Sequence, residues 1–444
     1  MAQFHTRPLF FRGGRVIDPT GAIDAVCDVS VVDGRVDSVG RSLRVPEGAT
    51  IIDVEGFIVC PGFVDLHTHL RFPGFPEKET IESGTAAAAA GGFTTVCAMA
   101  NTQPVVDSVG VFEQVQRAIR REACVHVHQL AAVTLGLHGT TLTDFGSLAS
   151  AGAVAFSDDG KPVWDRGVMR RALELGRRLG IRVSVHEEDR MLVAGGTANA
   201  GATARRLGFT EWPCSGEAAM VERDLRLLED VGGHLHVAHV SCAESVALIR
   251  DAQAQGLDVT AEVTPHHLVL TDDLLSGVPQ RGLRAGDPST KVNPPLRSTR
   301  DVEAVRQGLA DGVIQAIATD HAPHTAADKA LPYGEAAFGI SAIETALPMA
   351  MSVVRDGVLD LTTLIRRLTV DPARVMNLAA GTLVPGATAD ICVFDPEALW
   401  TVHPDVLRSK GKNTPLMGVE LQGRAILTAV SGAVVHDVHG LATR

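Results

Sequence analysis

Lysine is scarce in this chain of 444 residues. Basic charge is carried almost wholly by arginine, and the only lysines are Lys78, Lys161, Lys291, Lys329, Lys410 and Lys412. Seven cysteines are present without a single CxxC pair, and their number is odd. That excludes a disulfide framework and a CxxC zinc site, and fits reduced thiols in a cytoplasmic protein. The apolar stretches are broken by glycine, histidine or charge well before spanning length, so no transmembrane helix is expected. The opening Met1-Ala2-Gln3-Phe4-His5 has no basic region leading into an apolar core, so no signal peptide is expected. Net charge is −12 without a long acidic run. This argues against nucleic acid or an anionic membrane as the main partner. No G-x-G-x-x-G turn follows an early strand, which speaks against a dinucleotide-binding sheet.

What is present divides the chain in three. Residues 1–60 read as short strands, including Val29–Val32, the turn Asp33-Gly34 and Arg35–Val39. Residues 379–444 have the same texture, with strands at Ala389–Phe394 and Ala425–Val430. These two ends are expected to pair into one composite β-sandwich domain. Residues 61–378 alternate buried strands with amphipathic helices such as Val168–Leu179, Ala218–Val231 and Ala243–Gln255. Eight strands are expected, at Phe63–His67, Thr94–Met99, Val125–Leu130, Ala153–Ser157, Arg182–His186, Leu235–His239, Val259–Val263 and Gln315–Thr319. That is the count of a (β/α)8 TIM barrel, an α/β fold.

Chemistry-bearing residues gather at the strand ends. His67 and His69 are two apart on the first strand and so share a face. Alone such a pair is weak evidence, because His126/His128 and His234/His236 have the same spacing. Asp158-Asp159 follow the fourth strand, His186 ends the fifth, His239 the sixth, and Asp320 the eighth. A barrel brings these ends to one mouth, and imidazoles with carboxylates there make a nitrogen and oxygen site suited to Zn2+.

With these residues in view, the chain resembles the amidohydrolase superfamily and, within it, the type I bacterial dihydroorotases. The likeness covers nearly the whole chain. It rests on Asp65–Arg71, Lys78–Thr85, Ala90–Val96, Asn101-Thr102, Phe156–Gly160, Val259–Leu268, Lys291–Arg297, Thr319–His324, Phe338–Ile340 and Lys412–Pro415. The resemblance implies zinc-dependent, reversible hydrolysis of L-dihydroorotate to N-carbamoyl-L-aspartate in pyrimidine biosynthesis. It implies that His67, His69 and Asp320 hold one zinc, and that Asp159 bridges to a second held by His186 and His239; a single ion is the alternative. Asp159 is favoured over Asp158 because it directly precedes Gly160. Relatives that bridge their metals with a modified lysine are not matched, since no lysine sits at a suitable strand end. Asp320 would act as the catalytic base. His69, Arg71, Asn101 and His324 would meet the substrate carboxylate side, and Asn293, Phe338 and Gly339 its ring.

The chain departs from the family pattern at Phe72, Ala100 and Glu187, none of which removes a ligand. The segment 276–290 reads either as a mobile lid or as a surface insertion. The rival readings are a hydantoinase or allantoinase on the same barrel, and a scaffold subunit for aspartate transcarbamoylase. A homodimer, and association with that transferase, are the partners the resemblance suggests.

Overall fold

The computed structural model describes residues 7–443; the signal-peptide reading of Met1–His5 lies outside them. The two ends of the chain meet in one sheet. Leu9–Asp18 pairs antiparallel with Ile23–Val32, which pairs with Arg35–Gly40 across Asp33-Gly34. Both turn residues have positive φ, at 50° and 73°, the hairpin geometry that suits the twist of the flanking strands. Ile58–Pro61 lies parallel to Leu9–Asp18 on one side and antiparallel to Ile391–Thr401 on the other. Glu420–Val430 and Ala433–Asp437 complete the C-terminal part. Phe11, Val16, Val29, Val31, Ile52, Val59, Ile391, Val393 and Ile426 form the core of this composite unit.

Between the ends all eight expected barrel strands are present: β1 Phe63–Thr68, β2 Phe93–Ala98, β3 His126–Gln129, β4 Ala155–Ser157, β5 Arg182–Val185, β6 Leu235–Val237, β7 Val259–Val263 and β8 Ala316–Ile317. Neighbouring strands pair in parallel, β1 with β2 and β2 with β3, then β4 through to β8 in chain order. The bridges Ala131 to Phe156 and Thr68 to His321 close the gaps between β3 and β4 and between β8 and β1. The result is a closed (β/α)8 barrel, whose strand C-termini surround one mouth.

The helices follow from capping and pattern. Helix Arg166–Leu179 begins where the Asp165 side chain accepts from Val168 N, and ends at Gly180 in the left-handed region. It buries Val168, Met169, Ala172, Leu173 and Gly176 on one face. Helices Ser215–Val231 and Ala243–Ala254 also match their expected spans. None of the described helices is long and apolar enough to cross a membrane.

The segment 276–290 is folded against its surroundings. Val278 and Leu283 form a bridge, Gly286 N donates to Leu275 O, and Leu275 and Leu283 are buried.

Candidate metal centre and substrate pocket

The first two histidines are oriented from behind. Glu262, on β7, accepts from His67 Nδ1 at 2.7 Å and from His236 Nε2 at 3.1 Å. Burial opposes charge on Glu262, yet hydrogen bonds from His236 and His67 hold its carboxyl down at about 2. An ionised carboxylate only accepts, so His67 carries its proton on Nδ1 and turns the Nε2 lone pair to the mouth. The amide of Asn101 works alike on His69. Its nitrogen donates to Asp159 Oδ2 at 3.1 Å, so its oxygen faces His69 Nδ1 at 3.0 Å. His69 Nε2 is thereby left as an acceptor facing Asp320 Oδ1, another acceptor, at 3.0 Å. Just past β5, His186 Nε2 donates to Glu188 at 3.0 Å, which turns Nδ1 toward His239 Nε2 at 2.9 Å and Asp159 Oδ1 at 3.5 Å.

Lone pairs therefore converge on lone pairs. Asp159 Oδ1 lies 3.3 Å from His67 Nε2 and 3.5 Å from His239 Nε2, and His67 Nε2 lies 3.5 Å from Asp320 Oδ1. Both His67 Nε2 and Asp159 Oδ1 are buried without a hydrogen-bond partner. Buried acceptors left facing one another are costly unless a cation sits among them. The residues fit a metal on this ground. Two groups, His67–Asp159–His239 and His67–His69–Asp320, have ligand atoms within 4.8 Å of one another and can hold an ion. Borderline imidazole with carboxylate oxygen is a donor set that suits zinc.

Asp158 and Asp159 separate cleanly. Asp158 Oδ1 accepts from Val133 N at 2.7 Å and Thr134 N at 3.0 Å, pinning the segment after β3, while Asp159 faces the histidines. Lys161 is exposed and lies outside the cluster. Glu187, which departs from the family pattern, turns away from the mouth toward Arg223 and Asp224.

A cavity of about 240 Å³ opens over the cluster, lined by His69, Arg71, Asn101, Asn293, His324, Phe338 and Gly339, among others. Arg71 donates from Nε to Pro323 O at 3.2 Å, and has no carboxylate in ion-pair reach among the described residues. His324 Nε2 is 2.8 Å from Phe338 O and 3.3 Å from Arg71 Nη2. Its Nδ1 faces Lys78 Nζ at 3.4 Å, so the shorter contact is an Nε2–H donated to the carbonyl. Burial, then the charges of Arg71 and Lys78, push His324 down to about 3, which keeps it neutral. Asn413 accepts from His324 N and donates to Gly339 O and Ala322 O, binding both sides of the pocket to the chain's C-terminal part. Gly339 has φ +133°, and a Cβ there would stand 2.7 Å from that of Ala322, so glycine is required.

All the expected site residues thus meet at one mouth. Asn101 lines the pocket, and the two ends of its amide also meet His69 and Asp159. Sequence reading missed Glu262, Glu188 and Asn413 as site-building residues. Glu262 left a signal, since it is a charged residue on a strand whose Ala261 and Val263 are buried.

Comparison with known proteins agrees with this geometry. A family model described as Dihydro-orotase-like matches residues 56–245, and one described as Amidohydrolase family matches residues 280–436. A dihydroorotase of Anaeromyxobacter dehalogenans (strain 2CP-C) is 49% identical over 431 residues, covering 97% of this chain and 98% of its own. The chain belongs to the dihydroorotase family. A second member, from Anaeromyxobacter sp. (strain K), is 48% identical over 429 residues, with 97% and 98% covered. Among solved structures, the L-hydantoinase (dihydropyrimidinase) of Arthrobacter aurescens superposes with a TM-score of 0.86 at 26% identity, over 97% of this chain and 96% of that one. The hydantoinase likeness is a distant one of fold, whereas dihydroorotases match at nearly twice that identity.

Proposed function

We propose that this member of the dihydroorotase family hydrolyses L-dihydroorotate reversibly to N-carbamoyl-L-aspartate in pyrimidine biosynthesis, using zinc held at the barrel mouth. The observation that carries the reading is a guanidinium without a carboxylate partner, Arg71, in the same cavity as the converging acceptors. A cyclic amide bearing a carboxylate supplies what each half lacks.

In this reading His67, His69, Asp159, His186, His239 and Asp320 would hold the zinc, as two ions or one. When bound, zinc supplies Lewis-acid polarisation of an amide carbonyl and acidification of water near neutral pH. With a cation held beside it, Asp320 would be ionised and could take a proton. Asp320 accepts the proton of the attacking water and returns it to the departing ring nitrogen. In the biosynthetic direction it moves the proton the opposite way. Arg71 grips the substrate carboxylate through charge-assisted hydrogen bonds, with His324, Asn101 and His69 beside it. Asn293, Phe338 and Gly339 meet the ring.

The division of labour we propose is chemistry on residues 61–378 and a supporting composite unit from 1–60 and 379–444. We place the enzyme in the cytoplasm as a homodimer able to associate with aspartate transcarbamoylase; seven free thiols are consistent with a reducing compartment. The test is steady-state hydrolysis of dihydroorotate and of hydantoin by the wild-type chain and by Arg71→Ala. Dihydroorotate should be preferred by the wild type, and Arg71→Ala should raise its KM by roughly 100-fold, the weight of a charged hydrogen bond. Preference for hydantoin would move the assignment to the rival cyclic amidohydrolases.

A further inference from the structure

We propose that Cys214, Cys242 and Glu244 form a further metal site, separate from the barrel mouth, that takes a thiophilic divalent cation of the zinc class. The site stands whether or not the mouth acts on dihydroorotate.

Two helices begin side by side here. Cys214 directly precedes helix Ser215–Val231, Cys242 directly precedes helix Ala243–Ala254, and the two helices pack together. Both sulfurs and a carboxylate oxygen of Glu244, in the first turn of the second helix, come within 4.8 Å of one another. None of the three belongs to the histidine and aspartate groups of the mouth. Each sulfur has a fixed direction. Cys242 Sγ stands 3.3 Å from Glu217 Oε1 and 3.1 Å from Ser245 Oγ, and Cys214 Sγ donates to Asp301 Oδ2 at 3.9 Å. Asp301 is itself held by Ser298 Oγ at 2.5 Å and by Ala243 N at 3.2 Å.

Two sulfurs with one carboxylate are a soft donor set, which selects zinc over magnesium or calcium. The charge of the place suits it as well. Two thiolates and a carboxylate around a divalent ion leave one net negative charge, and two helix N-termini meet it with partly positive backbone. An ion also has a way in, because Cys242 is buried, Cys214 half-buried and Glu244 exposed. Three protein donors leave a fourth tetrahedral position for water. On binding, two S–H bonds break, two sulfur–metal bonds form and two protons pass to solvent, with no change of oxidation state. The other close pair of cysteines lacks these features. Cys60 Sγ lies 3.7 Å from Cys392 O, but both residues are fully buried and belong to no such group among the described residues.

Cobalt(II) is the probe, since a thiolate ligand gives it an intense near-ultraviolet charge-transfer band that imidazole and carboxylate do not. The mouth groups contain no sulfur, so the band reports this site alone. The full chain, stripped by chelation and kept reduced with a phosphine, is titrated with cobalt. Half-saturation of the band should fall at roughly micromolar cobalt or below, and added zinc should bleach it by displacement. Cys214→Ser and Cys242→Ser should each remove most of the band, and zinc-loaded Cys214→Ser should hold one ion fewer than the wild type. Glu244→Ala should keep the band but raise the half-saturating cobalt by roughly 10-fold or more. No band in the reduced wild type overturns the site without any variant. A band that survives both serine substitutions together places the sulfur elsewhere, and half-saturation at roughly 1 mM or higher marks an adventitious ion only; either result overturns the site.

Discussion

The barrel mouth and the tier of residues just beneath it are built on opposite principles. Beneath, the carboxylates of Asp65, Glu262 and Asp158 are answered. Asp65 accepts from Thr319 N at 2.9 Å and His67 N at 3.1 Å, tying β1 to the end of β8. Glu262 is shared between His67 and His236, and Asp158 holds two backbone N–H groups and the hydroxyl of Thr134. In the mouth, acceptors face acceptors, and His67 Nε2, Asp159 Oδ1 and Asn293 Oδ1 are left without partners. The backbone differs as well, with positive φ at Arg71, His239 and Asp320, of 58°, 35° and 45°. Such strain persists only where the surroundings over-determine it. The lower tier is the rigid support that lets the upper one keep unsatisfied groups aimed at ligands.

This contrast is sharpest when each tier is altered in turn. Asp320→Asn, in the mouth, should lower kcat by roughly 1,000-fold or more while leaving thermal stability nearly unchanged. Stopped assays together with a thermal melt check both halves, and substantial residual turnover would remove Asp320 from the base role. A step down in effect, the neighbours Asp158 and Asp159 should respond differently. Asp158→Ala strands two buried N–H groups and should cost about 2–3 kcal/mol in urea unfolding. Asp159→Ala should cost far less stability but lower the metal content. Equal destabilisation of the two would erase the distinction between the tiers.

The smallest effect is expected at the seam between barrel and composite sheet, where His126 Nε2 lies 3.1 Å from Asp390 Oδ1. That hydrogen bond raises the His126 pKa above 6.5. A raised folded-state value means the contribution is full below the unfolded pKa and disappears as pH climbs through the folded one. His126→Ala should therefore lower the melting temperature slightly near pH 6 and not at pH 9. Because His126 is partly exposed, solvent screening keeps the shift to a degree or two, on the order of a surface pair.

Much of this was readable along the chain. The barrel strands are short runs rich in apolar residues, and the clustered histidines and aspartates lie where those runs stop, so period and position together found them. Gly160 marked Asp159 out from Asp158. What could not be read is closure across long separations. Glu262 lies 195 residues from His67, Asn293 lies 105 from Glu188, and Asn413 lies 89 from His324. Each contact depends on barrel closure or on the return of the C-terminal segment, which periodicity does not encode. The same holds for Asn101, whose contacts with His69 and Asp159 depend on barrel closure. The loop 276–290 had a composition compatible with motion, but its apolar members, Val278 and Leu283, pair with each other.

The most direct test of the account is the metal content and dihydroorotate hydrolysis of one preparation, measured before chelation, after it, and after zinc is returned. Activity should fall with the metal and come back with it, with the fold retained throughout. Full turnover by the metal-free protein would contradict the claim that the converging acceptors of the mouth exist to hold an ion.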